Sequence, residues 1–203
     1  MFRRQRRPIV HRLTLVLLAA LAAPALAQPT DIWEVDPAHS SIQFGVRHLM
    51  ISTVRGSFPK FTARVVGDPK EPTRSVVEAS IDAAAIDTGD PKRDDHLRTP
   101  DFFDVAKYPT ITFKSTKVEA AGDRRFKLHG DLTMHGVTKP VVLDVEVTPE
   151  VKGMRGETRA GARATTKVNR KDFGINWSKT MDGGGLVVGD EVEVTIDVEG
   201  VKK

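Results

Sequence analysis

From Asp31 onward, apolar and polar side chains alternate with a period of two over most of the chain, the pattern of strands that bury one face. The clearest run is the last: Val192, Val194, Ile196 and Val198 face one way, and Glu191, Glu193, Thr195, Asp197 and Glu199 the other. Residues 141–147 set Val141, Leu143, Val145 and Val147 against Val142, Asp144 and Glu146. Residues 126–134 do the same with Phe126, Leu128, Leu132 and Met134, and 42–48 with Ile42, Phe44, Val46 and His48. Shorter strands are predicted at 31–36, 58–66, 75–83 and 110–118, and a longer one at 157–168. Turn residues punctuate these runs at Gly67-Asp68-Pro69, Gly122-Asp123, His135-Gly136, Pro149 and Gly183-Gly184-Gly185. One stretch does not alternate: Thr88-Gly89-Asp90-Pro91 opens a short helix to about Leu97, and Thr99 to Pro109 reads as an irregular loop carrying Phe102, Phe103 and Tyr108.

Eight or nine short strands with one helical excursion fit a sandwich or a closed barrel. The barrel is preferred, because nearly every strand has one apolar and one charged face and closure removes exposed edges. Its interior is informative at 157–168, where the apolar face is small: Ala160, Ala162, Ala164 and Thr166 alternate with Arg159, Arg163, Thr165 and Lys167. An eight-stranded barrel is just wide enough to be filled by side chains or to hold one slim ligand. Alanines opposite Phe44, Phe61, Phe113 and Phe126 fit either a packed core or a lumen. His48 shares the parity of Ile42, Phe44 and Val46, so it faces inward or onto the rim, either as a satisfied core histidine or as an anchor for a ligand's polar head.

The N-terminus changes the charge picture. Residues 1–27 combine Arg3, Arg4, Arg6, Arg7 and Arg12 with an apolar run from Leu13 to Ala23 and end in Ala25-Leu26-Ala27, the grammar of a cleavable signal peptide. The run is too short for a stable membrane span. The expected mature domain is 28–203, in the periplasm. The whole chain carries 31 Lys and Arg against 27 Asp and Glu, but without the five leader arginines 26 basic groups face 27 acidic ones. The basic excess therefore belongs to the leader and gives no support to a nucleic-acid partner. There are no cysteines, which excludes disulfides, thiolate catalysis and Cys-ligated metals.

Catalytic patterns are absent from the sequence. The five mature histidines, His39, His48, His96, His129 and His135, form no His-x-His or His-x-x-x-His pair. His39-Ser40-Ser41 lacks a nucleophile elbow, and Gly183-Gly184-Gly185 lacks the Lys-Ser/Thr of a phosphate loop. The polar cluster Arg93-Asp94-Asp95-His96 reads as a solvated helix face with its cap.

A series of motifs runs in order along the chain: Trp33-Glu34-Val35-Asp36-Pro37-Ala38-His39-Ser40, Phe44-Gly45-Val46-Arg47-His48-Leu49, Val54-Arg55-Gly56-Ser57-Phe58 and Arg93-Asp94-Asp95-His96-Leu97 with Asp101-Phe102-Phe103-Asp104. Tyr108-Pro109-Thr110-Ile111-Thr112-Phe113, Gly130 through Pro140, Asn169-Arg170-Lys171-Asp172-Phe173-Gly174 and Val188-Gly189-Asp190-Glu191-Val192 complete it. Together they resemble the YceI-like family of exported polyisoprenoid-binding proteins. The resemblance implies an all-β, eight-stranded antiparallel lipocalin-like barrel, an apolar tunnel for an isoprenoid quinone or polyprenyl phosphate, a homodimer, and no catalytic residue, metal or cofactor other than the bound lipid. The tunnel wall is then expected from Phe44, Val46, Phe61, Ile81, Phe113, Leu132, Ala160, Ala162 and Ala164, and the head-group site from His48, Asn169 and Arg170. Arg170 is read as offering bidentate hydrogen bonds to a phosphate or quinone oxygen; the other reading of Asn169-Arg170 is a turn whose side chains bond backbone. An enzyme acting on a prenyl lipid or quinone, resting on His48 and the 93–96 cluster, and a closed structural barrel are the alternatives. The 181–186 loop is expected to vary and to shape the mouth.

Overall fold

The computed structural model describes residues 31–67, 71–179 and 187–203. The expected leader and the glycine-rich loop at 181–186 lie outside the described residues. The strands are β1 (Asp31–Val35), β2 (Ser41–His48), β3 (Ser52–Ser57), β4 (Phe61–Gly67), β5 (Val76–Asp82), β6 (Thr110–Gly122), β7 (Arg125–Met134), β8 (Val137–Val147), β9 (Val151–Lys152), β10 (Thr158–Asn169) and β11 (Val188–Lys202), with one helix, α1 (Pro91–Arg98).

Every pairing is antiparallel, and following them leads back to the start. β1 pairs β4, then β5, β6, β7, β8, β10 and β11 follow in turn, and β11 pairs β1 again. This is a closed eight-stranded barrel with one short helix, as the alternation predicts. The hairpin β2–β3 prolongs the wall. One edge of β11 pairs β2 over 188–197 and β1 over 200–202, so β1 and β2 form one line interrupted by the turn at 37–39. β3 and β4 are interrupted likewise at Phe58-Pro59-Lys60.

Two departures from the sequence reading have plain causes. β3 shows no clear alternation because its inward partner to Phe44 is Gly56. The aromatic ring lies over that glycine: a Cβ there would meet Phe44 Cε1 and Thr88 Cγ2, both at 2.8 Å. Second, Asp94 on α1 is buried, where a solvated face was expected. Its Oδ1 accepts from Thr88 N (2.9 Å) and Thr88 Oγ1 (2.5 Å), which ties the helix to the loop before it. Asp90 caps α1 by accepting from Lys92 N and Arg93 N, and Pro91 occupies the first turn, as the sequence predicts.

The crossings fix two ends. The helix end gathers α1, the 99–109 loop, the turn at 170–173 and the β2–β3 hairpin. The far end gathers the β4–β5, β6–β7 and β8–β10 connections together with Asp31 and Lys202. Burial is deepest under the helix end, where Phe58, Phe61, Ile81, Ala83, Ile86, Phe102, Ile111, Met134, Phe173 and Ile175 form one cluster. Each of the Phe, Ile and Met side chains among them contributes about 1.5–3 kcal/mol of transfer free energy.

Candidate functional site

The inward face of the barrel is where the expected wall residues come together. Phe61 pairs Ile81 across β4 and β5, and Phe113 pairs Leu132 across β6 and β7. Ala162 stands between Val147 and Val198, and Ala164 between Val145 and Ile196. Phe44 and Val46 sit opposite Val194 and Val192 on the inner face of the β2–β3 extension, with His48 at its end.

Burial along this face is uneven. Phe61, Ile81 and Ala164 are buried. Phe44, Val46, Phe113, Leu132, Ala160 and Ala162 are only half-buried, as are Val65, Val77, Val118, Phe126, Val147, Val194 and Val198 of the same inward parity. In β11, Val194, Ile196 and Val198 are hydrogen-bonded into the wall yet remain half-buried. The alanines of β10 give one wall little bulk, and two large rings lean over glycines of the neighbouring strands. Phe113 covers Gly130 in the way Phe44 covers Gly56.

His48 is half-buried and its ring has no hydrogen-bond partner among the described residues. Its backbone carbonyl accepts from Ile51 N at 3.0 Å and closes the β2–β3 turn.

Asn169 and Arg170 correct the head-group assignment. Asn169 is exposed, and its side chain accepts from Lys171 N at 3.0 Å, capping the 170–173 turn. Arg170 is 5% exposed. Its Nε donates to Gly189 O (2.9 Å), Nη1 to Ile175 O (2.8 Å) and Trp177 O (2.7 Å), and Nη2 to Val188 O (3.4 Å) and Asp190 Oδ1 (3.0 Å). A guanidinium has five N–H donors, and all five are engaged. Burial lowers its pKa, opposed by the charge and hydrogen bond of Asp190. Arg170 is thus a clasp joining β10, β11 and the 175–177 segment, with no donor left for a ligand. The turn reading of these residues describes them.

Two polar groupings escaped the sequence reading. At the far end Lys202 Nζ meets Asp31 Oδ2 at 2.6 Å, with the Lys202 nitrogen 5.7 Å from the Trp33 ring centre. Trp33 pairs Lys202 across β1 and β11 and shares the inward parity of Val35. Outside the wall, Arg159 Nη1 donates to Asp36 Oδ2 (2.9 Å) and to Glu199, and its Nε to Glu157 Oε1 (2.7 Å). His39 Nδ1 lies 3.0 Å from Asp36 Oδ2. The hydrogen bond to His39, then that to Arg159, hold Asp36 down to about 2, and Glu157, Glu199 and Asp36 together raise Arg159. Ligand atoms of Asp36, His39 and Glu199 lie within 4.8 Å of one another, but Arg159 already supplies the cation among them. Asp36 and Arg159 are 123 residues apart, so only the pairing of β10 with β11, and of β11 with β1, brings the two together.

Residues 33–200 match the model of the YceI-like domain. A UPF0312 protein of Vibrio cholerae is 37% identical over 188 residues, 92% of this chain and 95% of the relative. One of Azotobacter vinelandii is 36% identical over 190 residues, 93% and 96%. Among solved structures, Burkholderia cenocepacia BcnA superposes with a TM-score of 0.72 at 27% identity, over 81% of this chain and 98% of that one. A Campylobacter jejuni YceI protein gives 0.66 at 27% identity, over 95% and 99%. A polyisoprenoid-binding domain from Saccharophagus degradans shares the fold, with a TM-score of 0.61 at 14% identity over 84% and 98%.

Proposed function

The chain belongs to the YceI-like domain family, and we propose that it binds a long-chain polyisoprenoid lipid, of the isoprenoid quinone or polyprenyl phosphate type, along the inner face of its barrel. The observation that carries this is the half-buried inward face: an apolar surface walled by Ala160 and Ala162, with the rings of Phe113 and Phe44 leaning over glycines. Each methylene buried there contributes about 0.8 kcal/mol, so a prenyl chain needs few polar contacts to bind tightly. In this reading the head group lies by the unpartnered ring of His48, the tail runs past Phe113 and Leu132, and Ala160 and Ala162 make room for its end. The protein acts as a carrier, store or protector rather than as an enzyme, in the periplasm, where such a lipid needs shielding from water. A homodimer is part of the same proposal.

The test is native mass spectrometry of protein purified without detergent, followed by extraction and mass measurement of what co-purifies. A long-chain isoprenoid is expected with the wild type. Ala162→Phe, which fills the lumen, is expected to fold and arrive empty. A wild-type barrel that carries nothing, and gives no saturable site to an apolar fluorescent probe, overturns the proposal in favour of a closed structural barrel.

A further inference from the structure

The tip of the β2–β3 hairpin combines features that stability alone does not explain. Leu49 (φ 51°) and Met50 (φ 60°) both sit in the left-handed region, and Ile51 N bonds back to His48 O. Two consecutive turn positions in this region favour Asn-Gly, because side chains with a Cβ are strained at positive φ. Here it holds two bulky apolar residues. The side chains that follow from this are displayed rather than packed: Met50 is 59% exposed and Ile51 79%. Arg47 locks the display, with Nη2 donating to Met50 O (2.8 Å) and Ile51 O (3.1 Å) and Nη1 to Thr53 Oγ1 (3.2 Å). Strain kept at an exposed site in exchange for apolar display points to a binding role.

The charge around the tip identifies the partner. From Pro37 to Gly67 the chain has no Asp or Glu, and the hairpin carries Arg47 and Arg55, both exposed on its outer face. On the neighbouring β11, Asp190 is engaged by Arg170 and Lys171, and Glu191 and Glu193 by Lys167. A second exposed apolar pair, Val151 and Met154 at the far end, differs in this respect: Glu150 and Glu157 accompany Lys152 and Arg155. We infer that the β2–β3 tip docks the protein on an anionic lipid surface, with Met50 and Ile51 entering the interface and Arg47 and Arg55 facing the headgroups. His48, Val46 and Phe44 stand in a row behind the tip on the inner face of the β2–β3 extension.

Sedimentation with phosphatidylglycerol and with phosphatidylcholine vesicles tests this, using wild type and variants recovered after export, so that the basic, apolar leader does not contribute to binding. The wild type is expected to bind phosphatidylglycerol vesicles, and more weakly as salt rises. Met50→Asp combined with Ile51→Asp should lower the partition coefficient at least tenfold, and Arg55→Gln about fivefold. Val151→Asp with Met154→Asp should leave it unchanged. Leu49→Asn with Met50→Gly is the decisive variant: relief of the turn should raise the melting temperature while vesicle binding falls. Equal binding by wild type and tip variants overturns the inference. So does a dimer, seen by sedimentation velocity, that the tip variants dissolve, since a second copy then covers the tip. Co-purified lipid is measured separately, so an empty barrel and a non-docking tip are distinguishable results.

Discussion

The ring of Phe113 lies so closely across Gly130 that no Cβ fits between them, and the backbone carbonyl of Lys114 closes the same space at 2.6 Å from where that Cβ would stand. A flexible ring tip can swing away, but a strand carbonyl cannot without disturbing the β6–β7 ladder. Gly130→Ala is therefore expected to destabilise the fold by about 1–3 kcal/mol, the usual cost of overpacking. For a chain of this size that lowers the melting temperature by roughly 2–4 °C per kcal/mol. Adding Phe113→Leu should recover only part of the loss, because the carbonyl contact stays. Thermal unfolding of the two single variants and the double variant checks this, and full recovery would show that the ring alone sets the limit.

Arg170 predicts a different kind of loss. Replacing it removes the donors from four carbonyls and one carboxylate at a buried junction. Arg170→Ala should cost on the order of 3–5 kcal/mol, in line with breaking a buried charged network. Arg170→Lys should also be strongly destabilising, since three ammonium donors cannot reach five acceptors. Because Arg170 is a clasp and not a ligand contact, the fraction that remains folded is expected to carry the same co-purifying lipid as the wild type. Chemical denaturation gives the first quantity and mass spectrometry of the folded fraction the second.

The barrel was legible because period-two alternation is written into each strand separately and closure follows from having no face left to cover. Asp90-Pro91 announced the helix start just as locally. What stayed hidden was the hairpin strand Ser52–Ser57, whose inward Gly56 carries no apolar signal because a ring from the neighbouring strand fills its place. The site was only half legible. Parity placed Ala160, Ala162 and Ala164 on one face, but no local pattern says whether an arginine's donors are free. Arg170 looks available in sequence because its five acceptors come from residues 175–190, most of them backbone carbonyls that every residue possesses.

The Asp36–Arg159 pair sets the acid behaviour of the far half of the barrel. Asp36 titrates at about 2 in the folded protein, below its ordinary value of 3.8, chiefly through His39 and Arg159. A carboxylate with a depressed folded pKa stabilises above its unfolded pKa, and that contribution disappears as pH falls through the folded one. The stability difference between wild type and Asp36→Asn should therefore be largest at pH 5 and above, shrink below about pH 4 and vanish near pH 2. Urea unfolding at pH 2, 3, 4 and 5 measures it; a difference that stays constant across that range would mean Asp36 acts through shape and not charge.

His48 separates binding from catalysis at the proposed lipid site. Its ring is half-buried, inward by parity and unpartnered among the described residues, so in the binding reading it contributes one hydrogen bond to the ligand's head. One neutral hydrogen bond is worth about 0.5–1.5 kcal/mol, and His48→Ala should weaken a lipid with a polar head by about three- to tenfold. The same lipid without its head should bind wild type and variant alike, because only the chain is then held. His48→Gln, which keeps a donor and an acceptor, should recover most of the difference. An enzyme predicts otherwise: with a histidine transferring protons, both substitutions would abolish turnover of a prenyl substrate while leaving its binding nearly intact. Titration of a fluorescent prenyl analogue with and without its head group, alongside a turnover assay on the same three proteins, decides between binding and catalysis at this residue.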